Sequence, residues 1–186
     1  MRPSASTSGR ASGEFTVSAE TFESLPDPLQ VPGNVLEWAS PFVLPGFLHA
    51  WWEVFAPPAA PLILSVREGG RPIGIAPLQR EGSLLRLIGG ADVCDHLDVV
   101  VDPRRKAEFC GALLDYMNRT GVTRIDLGPV RPDSAVMTGL LPQARERGWP
   151  VASETEEVLF EADLPPSWEG YLDRLSGKQR HEVRRK

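Results

Sequence analysis

The densest group of reactive side chains lies in the stretch Asp92-Val93-Cys94-Asp95-His96-Leu97-Asp98. Carboxylates, a thiol and an imidazole this close together can hold a metal, activate a nucleophile or grip a polar ligand. If the run is extended, Asp92, Cys94, His96 and Asp98 point one way and Asp95 the other. Neighbours two apart on a strand stand roughly 7 Å from one another, so one ion takes only two of them without a bend. A Cys94–His96 nucleophile pair meets the same spacing and has no identifiable oxyanion donor. Solvated loop residues are the plain alternative.

Two further groups carry chemistry. Arg131, in Gly128-Pro129-Val130-Arg131-Pro132-Asp133-Ser134, follows a short apolar run, where open α/β sheets place ligands beyond a strand end. It suits an anionic group or a surface ion pair. Trp38, Trp51 and Trp52 offer flat faces for sugar rings, although the helical spacing of Trp51 and Trp52 suits a core equally.

The elements that must position these residues follow from periodicity and turn chemistry. Glu14 to Ala19 reads as a short strand, and Leu25 to Gly33 as irregular. Phe47, Leu48, Trp51, Trp52 and Phe55 recur at helical intervals from Pro45, and Pro57-Pro58 stops the helix. Leu62 to Arg67 and Pro72 to Arg80 flank Gly69-Gly70, the pattern of a β-hairpin with glycines at positive φ. Pro77 lacks a ladder donor and predicts a bulge or an edge there. Leu84 to Ile88 and Leu97 to Val101 add strands. Pro103 opens a helix to about Arg119 that Gly121 ends. Thr123 to Leu127 reads as a short buried strand. Asp133 or Ser134 caps a helix to Arg147 that Pro142 interrupts. Val151 to Ser153 and Glu157 to Ala162 read as two more strands. Trp168, Leu172 and Leu175 lie on one side of a last helix that continues to the end. The order predicts an α/β (α+β) fold, a mixed and mostly antiparallel sheet with helices on both faces.

Composition sets the limits. In 186 residues, 41% are apolar and 24% charged, the balance of one domain with a real core. Lys178, Arg180, Arg184, Arg185 and Lys186 against Glu182 give the last ten residues a net +4, so the preceding 176 sum to −9. An acidic body argues against nucleic acid as a partner. Two cysteines are too few for a disulfide framework and predict a reducing, cytoplasmic setting. No stretch reaches the roughly 18 to 20 apolar residues that span a bilayer. Residues 1 to 13, rich in Ser and Arg, read as a disordered tail.

Four segments carry a resemblance to a known family: PFVLPGFLHAWWEVFA, LILSVREGGRPIGIAPLQ, CDHLDVVV and WEGYLDRLSGKQRHEVRRK. Together with the element order from about Val35 to Asp163, they resemble the N-terminal half of FemAB-like, CelD-type proteins. These are tandem acyltransferases of the GNAT superfamily linked to cellulose and exopolysaccharide production. The resemblance implies a GNAT-like domain over 14–165 and, over 166–186, a helix leading to a second GNAT-like half. It also implies an N-acyltransferase whose acceptor is a small amine or a glycan, with acyl-coenzyme A or an aminoacyl-tRNA as donor. Asp95, His96 and Asp98 fall where the family shows an Asp-aromatic-x-Asp pattern facing the cleft, His96 replacing the aromatic. With Arg131 and Trp52 they form the expected acceptor-binding set.

One departure sets the expected division of labour. A GNAT domain that binds acyl-coenzyme A places R/Q-x-x-G-x-G/A at the start of its central helix, so that backbone N–H groups can approach the pyrophosphate. The matching stretch here is DPRRKAEFCGALL, with Glu108 and Cys110 at the glycine positions. This half is therefore expected to hold no cofactor and to shape the acceptor side. The alternative is a non-catalytic binding or scaffolding module that keeps the fold.

Overall fold

A computed structural model describes residues 15–26, 35–55, 57–90, 92–158 and 160–185. The proposed tail at 1–13 and most of the irregular segment at 25–33 lie outside them. The chain divides into two compact units, Met1–Glu154 and Thr155–Lys186.

The first unit is a six-stranded mixed sheet with helices. Its strands are β1 (Phe15–Glu20), β2 (Ala60–Glu68), β3 (Arg71–Glu81), β4 (Leu84–Leu87), β5 (Val100–Val101) and β6 (Arg124–Asp126). The order is β1-β2-β3-β4-β6, with β5 also paired to β3. All contacts are antiparallel except β4–β6. The hairpin forms as its glycines predict, with Gly69 and Gly70 at φ 55° and 81°. Ile63 to Val66 and Ile73 to Gln79 are buried at consecutive positions, so both faces of the central strands are covered.

The bulge does not fall at Pro77. The register shifts between Val66 and Arg67, beside the hairpin turn. Pro77 instead sits at a change of partner. One edge of β3 runs along β2 throughout, while the other meets β5 at Gly74 and Ile75 and β4 at Leu78 to Glu81. The Pro77 carbonyl accepts from Ile88 N at 2.8 Å, so the residue faces the gap between β5 and β4. A missing N–H costs nothing where no strand waits for it.

Helix α1 (Pro45–Phe55) has the predicted bounds and buries Leu48 and Trp51. Asp102 accepts from Arg104 N at 3.0 Å and caps a 3₁₀ turn at Pro103–Arg105, which leads into α2 (Lys106–Arg119). Phe109 of α2 lies on Gly74 of β3, where a Cβ would stand 2.3 Å from the ring. Only glycine lets helix and sheet approach this closely.

Three other expectations need correction within this unit. Strand β6 is not buried: Arg124 and Asp126 are exposed, because the strand pairs with β4 at the sheet margin. Leu97 to Val101 is not continuous, since only Val100 and Val101 are strand and Leu97 makes a lone parallel bridge to Val130. Pro142 does not interrupt its helix. Ser134 Oγ accepts from Met137 N at 3.1 Å, a π-helical turn spans Val136–Leu140, and α3 (Leu141–Glu146) follows. Pro142 falls in the first turn of α3, directly after the π-helical turn, so the helical run changes type beside it and continues.

In the second unit the strands expected at Val151 to Ser153 (in fact the end of the first unit) and Glu157 to Ala162 do not form among the described residues. Short apolar runs rich in strand formers favour an extended chain, but a strand exists only with a ladder partner. Phe160 is left 91% exposed. The last helix is two helices, α4 (Trp168–Arg174), capped by Ser167, and α5 (Gly177–Arg185). Among the described residues no helix is long and apolar enough to cross a membrane.

Candidate functional site

A cleft of about 300 Å³ opens in the first unit, and its charged or ionisable lining is Glu37, His96, Asp98, Lys106, Arg131 and Asp133. It lies where two parallel segments separate. Leu97 N donates to Pro129 O at 2.7 Å, and beyond that bridge the chain runs to β5 on one side and to the Arg131 loop on the other. Glu37 enters from outside the sheet, its N–H bonded to Val101 O at 3.0 Å.

Asp98 is the floor. It is 7% exposed, and its carboxylate accepts from Val99 N at 2.8 Å, Ala135 N at 2.8 Å and Val136 N at 3.1 Å. It therefore caps the helical run after Ser134, and turning to do so takes Asp98 and Val99 out of the strand. Burial raises its pKa against the opposing pull of those N–H groups, with the Asp133 charge adding to the rise.

His96 stands on the wall. Its ring meets the Phe42 ring edge-on with centroids 5.8 Å apart, and its Nδ1 is buried with no hydrogen-bond partner in the structure. Arg131 and Asp133 form a two-bond pair, Nε to Oδ1 at 2.9 Å and Nη2 to Oδ2 at 3.1 Å. That pairing holds the Asp133 carboxyl below its usual range. Lys106, also in the lining, donates through Nζ to Thr138 Oγ1 at 2.8 Å.

Of the expected set, His96, Asp98 and Arg131 converge here, whereas Asp95 and Trp52 do not line the cleft. Asp95 is exposed, and Trp52 packs against Phe22. Cys94 is buried 3.2 Å from where a Gly89 Cβ would stand, and burial pushes its thiol pKa up. Cys94 and His96 therefore serve different places, and no group of His, Cys, Asp and Glu suits a metal ion among the described residues. Glu37 escaped sequence reasoning, and Lys106 entered it only within DPRRKAEFCGALL, away from the expected acceptor set. Glu37 sits far along the chain from His96 and belongs to no motif.

The start of α2 is taken up by its own side chains. Arg105 bonds Glu68 through two nitrogens at 2.6 and 3.0 Å, bonds Glu108 at 3.0 Å, and lies 5.6 Å from the Phe15 ring centroid. Arg104 turns back to Asp102. Cys110 packs on Gly139, and burial pushes its thiol up to about 12. Arg104 and Arg105 are thus held by internal carboxylates, and Glu108 adds a negative charge where a pyrophosphate would approach.

Compared with protein-family models, curated proteins and solved structures, this chain matches none. What it can be said to do rests on the cleft.

Proposed function

We propose that this chain forms the acceptor-binding half of an N-acyltransferase of GNAT type, with the acyl donor held by a second half. The observation that carries the reading is a separation of sites. A polar cleft with a buried imidazole Nδ1 that has no partner among the described residues opens beside the separating parallel segments, while the helix start that a pyrophosphate would need is occupied by Arg105, Glu68 and Glu108. His96 is the residue placed to take a proton from a bound amine, since an imidazole works near neutral pH. Phe42 fixes the ring from its edge. The Arg131–Asp133 pair and the Asp98 cap fix other parts of the lining, so that a small acceptor meets a preformed surface.

The cofactor half of the reading is tested by titration calorimetry of the 186-residue chain with acetyl-coenzyme A at millimolar concentration. No saturable heat is expected. A dissociation constant below about 100 μM, some −5.5 kcal/mol, sinks the reading.

A further inference from the structure

The charges lining the cleft do not all cancel. Arg131 and Asp133 pair with each other. Asp98 spends its oxygens on three backbone N–H groups. What remains is one carboxylate and one ammonium, Glu37 and Lys106. Glu37 lines the cleft with its carboxylate in no ion pair among the described residues. Lys106 lines it too, and among the described residues its ammonium bonds the neutral Thr138 hydroxyl and no carboxylate. His96 lines the cleft with them, its Nδ1 buried and without a hydrogen-bond partner among the described residues. A buried polar atom left without a partner is costly, and sites of this kind are satisfied by a ligand or by water.

We infer that the cleft binds a small zwitterion of the α-amino-acid class, its ammonium toward Glu37 and His96 and its carboxylate toward Lys106. The size agrees. About 300 Å³ is at the lower end of small-molecule sites, room for an amino acid and not for a long glycan. The charges agree as well, because a purely cationic ligand leaves Lys106 unmatched and a purely anionic one is repelled by Glu37. As the identity of the acceptor, this inference rests on the reading of function above; as a binding site it stands on the cleft alone.

The test is chemical-shift titration of the full 186-residue chain with glycine, L-alanine and L-serine, and with L-serine methyl ester and N-acetyl-L-serine as singly charged controls. At least one zwitterion saturates with shifts at His96, Glu37 and Lys106, and each singly charged analogue binds about tenfold more weakly or worse. Glu37→Gln brings serine down to about the affinity of N-acetyl-L-serine, whose own binding it spares. Lys106→Met does the converse, sparing the methyl ester. Both residues lie at the cleft surface, and an unchanged amide spectrum away from the cleft certifies the fold. No saturation by any zwitterion up to about 50 mM overturns the inference, as does equal binding of the analogues or indifference to both substitutions. A chain that binds both acetyl-coenzyme A and serine keeps this site and loses the reading of function. A chain that binds neither loses this inference alone.

Discussion

Asp98 shows how one side chain can serve a helix and a cleft at once. Its oxygens satisfy Val99, Ala135 and Val136, three N–H groups that would otherwise be buried near a helix start. Asp98→Ala is expected to cost about 2 to 3 kcal/mol, the sum of a lost cap and stranded donors. A urea midpoint change worth less than about 0.5 kcal/mol would show the cap to be idle. Asp98 and Asp102 also make an opposed pair. Burial lifts Asp98 above the usual carboxylate range, and hydrogen bonds from Arg104 hold Asp102 below it despite its own burial. As pH falls, Asp98 must therefore take its proton before Asp102. Carboxyl carbon shifts followed through the acid range give the order directly, and the reverse order refutes the assignment. The two stability contributions have opposite signs. That of Asp98 is fully present below its unfolded value of about 3.9 and is lost as pH rises through the raised folded value. That of Asp102 is present above about 3.9 and is lost as pH falls through its depressed folded value.

Among elements, the junction of β3 and α2 sets the packing. Gly74 has its Cα under the Phe109 ring, and a methyl there would stand 2.3 to 2.8 Å from three ring atoms. The neighbour is a fully buried aromatic and cannot swing away. Gly74→Ala is expected to destabilise by about 1 to 3 kcal/mol through overpacking. Adding Phe109→Leu should return part of that loss, a non-additive pair that double-mutant thermal unfolding measures. Simple additivity would mean that the helix moves as a body to make room. The same junction explains why the start of α2 is a structural corner. Arg105 joins β2 through Glu68, β1 through the Phe15 ring and its own helix through Glu108.

At the scale of the whole molecule, the two units differ in what holds them. The first has a continuous buried cluster from Leu25 to Ala144. In the second, α4 has 7 residues and α5 has 9, fewer than the roughly 12 to 15 that give marginal helicity in water. Helix α5 buries no residue. Cations in its last turn favour the helix through the macrodipole, but by under about 1 kcal/mol each when exposed. That is too little to offset backbone ordering at roughly 1 kcal/mol or more per residue. Hydrogen exchange is expected to leave Glu182 to Arg185 unprotected while Leu62 to Val66 exchange slowly. Strong protection in α5 would mean that the first unit or a partner stabilises it.

Local chemistry was enough to determine α1, the β2–β3 hairpin, the α2 body and the mixed sheet. Helical spacing in Phe47 to Phe55, paired glycines between apolar runs and a Pro-opened apolar stripe act within about a dozen residues. The sequence also singled out His96, Asp98 and Arg131 by type, and they do meet. Tertiary structure decided the rest, because it depends on partners far along the chain. The apolar run within Glu157 to Ala162 finds no ladder partner among the described residues, so strand propensity there yields no strand. Pro77 reads as a defect until β4 and β5 are seen to leave a gap opposite it. Asp98 reads as an extended-strand carboxylate until Ala135 and Val136 supply the donors that bend it inward. Glu37 and Lys106 acquire meaning only when pairing to Val101 and the start of α2 bring opposite charges to one cleft. Charge complementarity across space leaves no period in a sequence.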